Sequence, residues 1–192
     1  MKQSEKASKK PLKIKLMILA AAILLNIIMN AAGNALKTEY YSAATDKLTA
    51  PVRLVFISDL HNCTYGGAEQ SKRWAEIEQA QPDLVLFGGD VIDMQGGTEH
   101  AAALMKKVQE KYPCAYTAGN HEGMRKDTEQ FYDAAAALGI PVLHGKYTDV
   151  TIHGQQIRIF GIVNVYENPD QLEACCRSTD ADRYGILLLH EP

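Results

Sequence analysis

The chain has 192 residues, 46% of them hydrophobic and 22% charged, which is ordinary for one globular domain with a short appendage. Its net charge of −3 hides an asymmetry: residues 1–30 carry six lysines against Glu5, a charge of +5 that leaves −8 on the rest. An acidic body argues against nucleic-acid binding by phosphate neutralisation, so an anionic substrate would have to be held by metal rather than by a basic surface.

Residues 1–15 form a basic tail, and Leu16 to Ala32 is an apolar run broken only by Asn26 and Asn30. As a helix this run reaches ~25 Å, the short end of a membrane span, and Lys13 and Lys15 can snorkel to extend it. We therefore expect residues 16–32 to be a single-pass transmembrane signal anchor. Positive charge before the span puts the N-terminus in the cytoplasm and everything after residue 33 outside. The rival expectation is secretion after cleavage at Gly33-Asn34-Ala35, which the long basic start and long apolar run disfavour. Asn26 and Asn30 lie four apart and read as a polar stripe near the outer interface. Residues 33–51 show no sustained period and read as a linker.

From residue 52 onward, apolar strands alternate with helical patterns. Val52 to Ile57 is a strand delivering Asp59 and His61; on extended backbone an Asp-x-His triplet puts both side chains on one side, a metal half-site. Ala68 to Ala80 reads as an amphipathic helix ended by Gln81-Pro82. Asp83 to Phe87 is a second strand, and Gly88-Gly89 after it allows a tight turn that brings Asp90 close to a ligand, with Asp93 three residues on. Thr98 to Lys111 is a second helix, with Thr98 as N-cap and Ala102, Leu104, Met105 and Val108 as its buried side. Cys114 to Ala118 is a third strand and leads into Gly119-Asn120-His121-Glu122. Lys126 to Leu138 is a third helix, closed by Gly139 and Pro141. Val142-Leu143, Val150 to Ile152 and Ile157 to Phe160 are shorter strands, with His153-Gly154 as a hairpin turn. Gly185 to Leu189 is a last strand ending at His190. This alternation implies α/β architecture with a largely parallel central sheet.

Four times an apolar strand stops at Asp, Asn or His, and in open α/β sheets ligands bind at the carboxyl ends of strands. Gathered without a cation, each pair of like charges among Asp59, Asp90 and Asp93 near 4 Å would cost about 4 kcal/mol at an effective dielectric of 20. Divalent ions remove that repulsion, and Mn, Fe or Zn suits a mixed oxygen and nitrogen donor set better than Ca. Other chemistries lack their motifs: there is no Gly-x-Ser-x-Gly elbow or phosphate-binding Gly-rich loop, and Arg125 stands where a zincin helix needs His. Cys63, Cys114, Cys175 and Cys176 include no Cys-x-x-Cys, which argues against structural zinc or a disulfide framework. Asn62-Cys63-Thr64 matches a glycosylation acceptor but abuts the half-site and reads as coincidence. His100, His144 and His153 read as structural or surface residues.

The ordered blocks Asp59-Leu60-His61, Gly89-Asp90-Val91-Ile92-Asp93, Gly119-Asn120-His121-Glu122 and His190 make residues 52–192 resemble the calcineurin-like metallophosphoesterases, in particular their membrane-associated bacterial branch. The resemblance implies a four-layer α/β/β/α sandwich. It also implies two divalent ions, one held by Asp59, His61 and Asp90 and the other by Asp90, Asn120 and His190. His121 would be the general acid and Asp93 its partner. The reaction implied is hydrolysis of phosphomonoesters or phosphodiesters by metal-activated water. A domain tethered outside the membrane suggests a lipid-linked, envelope or nucleotide phosphate. The family's closing Gly-His-x-His does not occur, so the expectation is a fragment, incomplete at the C-terminus, with one histidine fewer on each ion and weak activity. The alternative is a non-catalytic metal-binding or protein-interaction module on the same fold.

Overall fold

The basic start and apolar run become one helix. The computed structural model describes residues 4–33, 38–64, 66–164, 169–180 and 182–191, and the chain divides after Tyr40 into two units. In the first, α1 (Ser4–Gly33) holds an 18-residue window, Leu12–Met29, of mean hydropathy 2.2, in which every side chain is exposed. It is long and apolar enough to cross a membrane. Residues 34–37 of the expected linker, and with them Asn34 and Ala35 of the alternative cleavage site, lie outside the described residues.

In the second unit, the three apolar runs before Asp59, Asp90 and Asn120 pair as a parallel sheet, β1 (Leu54–Ile57), β2 (Leu84–Gly88) and β3 (Cys114–Thr117), in that order. Register aligns Ile57 with Phe87 and Gly88 with Thr117, so all three strands end at one edge. Alternate residues face two cores. Val85, Phe87, Cys114 and Tyr116 point to the side covered by α2 (Ser71–Ala80), α3 (Glu99–Gln109) and, after the short α4 (Asn120–Met124), α5 (Thr128–Ala137). Leu84, Leu86 and Ala115 point the other way, onto a second sheet.

That sheet joins β4 (Lys146–Ile152) and β5 (Gln155–Asn164) as an antiparallel hairpin, with the turn at His153 (φ 50°) and Gly154 (φ 75°) as expected. β6 (Tyr184–Glu191) lies parallel to β5. Ile152, Ile157, Ile159 and Leu188 fill the space between the sheets, while Phe160 and Ile162 pack on α6 (Pro169–Arg177) on the far side. The layers are therefore α/β/β/α. Across the hairpin, Arg158 of β5 grips Asp149 of β4 with two bonds of 2.7 and 2.8 Å and Arg183 joins them, which together hold the Asp149 carboxyl down at about 2.

Several details differ from expectation. Sequence reasoning missed α4 and α6. Val142-Leu143 makes only a bridge to Tyr116, and beside the expected hairpin β6 lies parallel to β5, so the second sheet is mixed. Thr98 occupies the N-cap of α3 without a side-chain bond. The capping oxygen comes instead from Asn62, which accepts the His100 and Ala101 N–H groups at 3.0 Å each. The residue that looked like a glycosylation coincidence thus ties the loop after β1 to the start of α3. The stretch expected as linker is partly anchored too, since Leu48 touches the inter-sheet core and Gln155 bonds both the N–H and the carbonyl of Ala50 at 3.1 Å.

Candidate metal centre

Because β1 and β2 run side by side, their trailing loops stay paired after the strands stop. The N–H groups of Asp59, His61 and Asn62 donate to the carbonyls of Gly89, Asp90 and Val91 at 3.1, 2.9 and 3.0 Å. The backbone there is not extended, which corrects the expected route to the half-site: Asp59, His61, Asn62 and Asp90 all have φ between 46° and 53°. Left-handed geometry costs a non-glycine residue roughly 1–2 kcal/mol, and such residues gather where function requires them. Leu60 between them is fully buried, and this pins the loop while its two neighbours face the site.

Gly89 (φ 94°) makes the close approach that the sequence suggested. A Cβ there would run into the His190 ring and the Gly119 backbone, and one on Gly119 would collide with the Asp90 carboxylate. The two glycines let β2, β3 and β6 bring their ends together. His190 belongs to β6 itself, which continues to Glu191 rather than stopping at Leu189.

Asp90 lies at the middle of the cluster and is 3% exposed. Its Oδ2 is 3.9 Å from His61 Nε2 and 3.7 Å from His121 Nε2, and its Oδ1 is 3.4 Å from His190 Nε2. It accepts one backbone N–H, from His121 at 2.9 Å. Among the described residues no Lys or Arg pairs with it. Asp59 is more open, with Oδ1 3.9 Å from His61 Nε2. Asp59, His61 and Asp90 form one set of three donors within 4.8 Å, and His61, Asp93 and His121 form an overlapping one.

The fit to a cation is clearest at His190. Its Nδ1 lies 2.9 Å from the Gly88 carbonyl, which can only accept, so the ring proton sits on Nδ1. That leaves the lone pair on Nε2, 3.1 Å from Asn120 Oδ1 and 3.4 Å from Asp90 Oδ1. Three electron-pair donors converge there with no donated proton between them, an arrangement that divalent-metal sites with an oriented histidine share.

His121 differs. Its Nδ1 meets Asp93 Oδ1 at 2.9 Å, its ring stands edge-on to His61 with centroids 4.5 Å apart, and its Nε2 faces the cluster. The His121 bond, helped by the Met94 N–H at 2.7 Å, holds the Asp93 carboxyl below the usual range.

A family model described as calcineurin-like phosphoesterase matches residues 52–192. The chain belongs to that family. The function class of that family is metal-dependent phosphoester hydrolysis, and the donors above are candidate ligands for its divalent metal. Among similar proteins, Bacillus subtilis (strain 168) YpbG is 26% identical over 92% of this chain and 67% of its own length. The metallophosphoesterase YkuE of the same organism is 29% identical over 73% of this chain and 51% of its own length. A Danio rerio transmembrane protein with a metallophosphoesterase domain is 27% identical over 52% of this chain and 23% of its own. This metallophosphoesterase chain thus spans two thirds of the first relative and about half of the second.

All seven residues singled out in the sequence lie at this one edge: Asp59, His61, Asp90, Asn120 and His190 around Asp90, with His121 and Asp93 beside them. His153, expected to be structural, pairs with Asp83 at the hairpin turn. The role of Glu122 was missed. Glu122 is fully buried, and its carboxylate accepts four backbone N–H groups, from Gly119, Asp90, Val91 and Ile92 at 2.7–3.1 Å. It fastens the Asp90 loop to the start of α4. Glu122 accepting the Gly119 N–H three residues back is the acidic half of a capping box, and glycine has no side chain to supply the half that marks one in a sequence.

Proposed function

We propose that this chain is a membrane-anchored phosphoesterase with two divalent ions, Mn, Fe or Zn, which hydrolyses phosphate monoesters or diesters. The observation that carries the two-ion reading is the convergence of donors on both sides of Asp90. Asp59, His61 and Asp90 would hold one ion, and Asp90, Asn120 and His190 the other. When bound, such ions supply a water nucleophile at neutral pH and neutralise the phosphoryl oxygens.

The chain's own residues supply the rest. Asp90 offers one oxygen to each side of the cluster, and its burial keeps that charge undiluted by water. The Nδ1 proton of His121 is committed to Asp93, so a proton carried on Nε2 would point into the cluster, toward the departing ester oxygen. Asp93 keeps the ring oriented. Asp59 is exposed and marks the side from which substrate enters. Stripping the protein with chelator should abolish hydrolysis of 4-nitrophenyl phosphate and its bis-ester, and Mn or Zn should restore at least one. Tight metal binding with neither ester ever turned over would instead favour the non-catalytic module.

For location, six lysines before an apolar helix support a cytoplasmic N-terminus and an external domain acting on lipid-linked or envelope phosphates. Protease added outside intact cells should remove residues 52–192 and spare the start. Full protection of the domain would reverse the topology.

A further inference from the structure

The general-acid assignment just proposed needs His121 and Asp93 held together, yet they sit on segments of unequal firmness. His121 lies on α4, beside the anchored Glu122. Asp93 lies where the loop between β2 and α3 leaves the core: Ile92 is buried, Asp93 half-buried, and Met94 to Gly97 are exposed. Gly96 (φ 93°) and Gly97 follow it, and glycine loses more freedom on ordering than any other residue. A single hydrogen bond to His121 is a weak tether for such a loop, because its net worth of roughly 1.5–3 kcal/mol must offset about 1–2 kcal/mol of entropy for each of several residues fixed.

We propose that Arg125 is the positioning residue for the His121–Asp93 pair. It lies just past the end of α4, and its side chain is 5% exposed. Nη1 donates to the Asp93 carbonyl at 2.7 Å and Nη2 to the Gly96 carbonyl at 3.2 Å, so one guanidinium holds both ends of the turn. Asp127 aims the fork, accepting from Nε and Nη2 at 2.9 Å each. All three nitrogens are engaged and the group is buried, so Arg125 is not placed to bind substrate phosphate. The planar fork suits two carbonyls at a fixed spacing; a lysine ammonium can serve one. Arg125 thus fastens the loop carrying Asp93 to the segment carrying His121 and acts on the reaction only through them.

Such a role has a signature that a general loss of stability lacks. A good leaving group such as 4-nitrophenolate departs with little help from an acid, whereas phenolate needs one. In the full chain, Arg125→Met should cut phenyl phosphate turnover by roughly 10–100-fold, less than the ~10²–10⁴-fold typical of losing the acid itself, and 4-nitrophenyl phosphate turnover by no more than about 3-fold, with metal content unchanged. His121→Ala should show the same selectivity, and adding Arg125→Met to it should cost nothing further. Arg125→Lys should fall between parent and Arg125→Met, and it decides the matter if the Met variant does not fold. Amide hydrogen exchange in residues 93–97 should quicken in either variant while β3 stays protected. Equal losses on the two esters, multiplying losses in the double variant, or unchanged exchange in residues 93–97 would overturn the proposal. If the parent hydrolyses neither ester, the phosphoesterase reading falls, and the exchange measurement still judges the clamp alone.

Discussion

Asp90→Asn will lose metal and activity together. Asp90 is the one carboxylate within 4 Å of His61, His121 and His190, and it is buried without a Lys or Arg partner among the described residues. An amide keeps the shape but removes the negative charge that both sides of the cluster share. Since losing a mere outer partner of a metal ligand weakens metal affinity 10–100-fold, removal of this charge should weaken it by more than about 100-fold. His121→Ala should behave differently, retaining metal and losing ~10²–10⁴-fold in turnover, because its imidazole is tied to Asp93 and would serve in proton transfer. Elemental analysis of both purified variants separates the two roles. Equal depletion would make His121 a ligand and sink its assignment as the acid.

Glu122→Gln will destabilise the domain by about 3 kcal/mol, lowering the melting temperature by roughly 6–12 °C. Four N–H groups aim at this carboxylate, which has lone pairs for all of them. A glutamine oxygen can accept two, and its own NH2 would face the other donors with nothing to offer. Bonds to a charged acceptor contribute about 1.5–3 kcal/mol each, and a buried N–H left unpaired adds its desolvation cost. Calorimetry on parent and variant in metal-free buffer measures this directly. A melting temperature within about 2 °C of the parent would mean that the four bonds are individually dispensable.

The strand ends were legible in the sequence because parallel strands buried on both faces must read as apolar runs, and a run that stops at Asp, Asn or His stops for a reason other than packing. The path of the backbone past those ends was not legible. Asp59 and His61 meet the site through left-handed residues whose conformation is set by pairing with the loop after β2, a contact between segments about thirty residues apart. The same limit hid Asn62, whose partner helix begins far along the chain, and Arg125, whose partners are main-chain carbonyls that no side-chain motif records. α6 went unseen because its apolar face is narrow: Leu172 and Cys175 are its contacts with Phe160 and Ile162. In the second sheet the His153-Gly154 turn set the direction of β4 and β5, but β6 could not be placed, since it reaches its parallel position beside β5 only by way of that helix.

The donors are contributed by segments spread from Asp59, just after β1, to His190, near the end of β6. A folding chain therefore cannot assemble the cluster from any local piece, and the contacts that complete it are among those of longest sequence separation, which form late and slowly. Ions held at these donors would favour only the finished domain, adding about 2.7 kcal/mol when free metal stands at a hundred times its dissociation constant. Partly folded forms would share none of it. Metal supply and the population of correctly folded protein would then be coupled, and the abundance of the domain in a cell would follow metal availability even where no substrate is present.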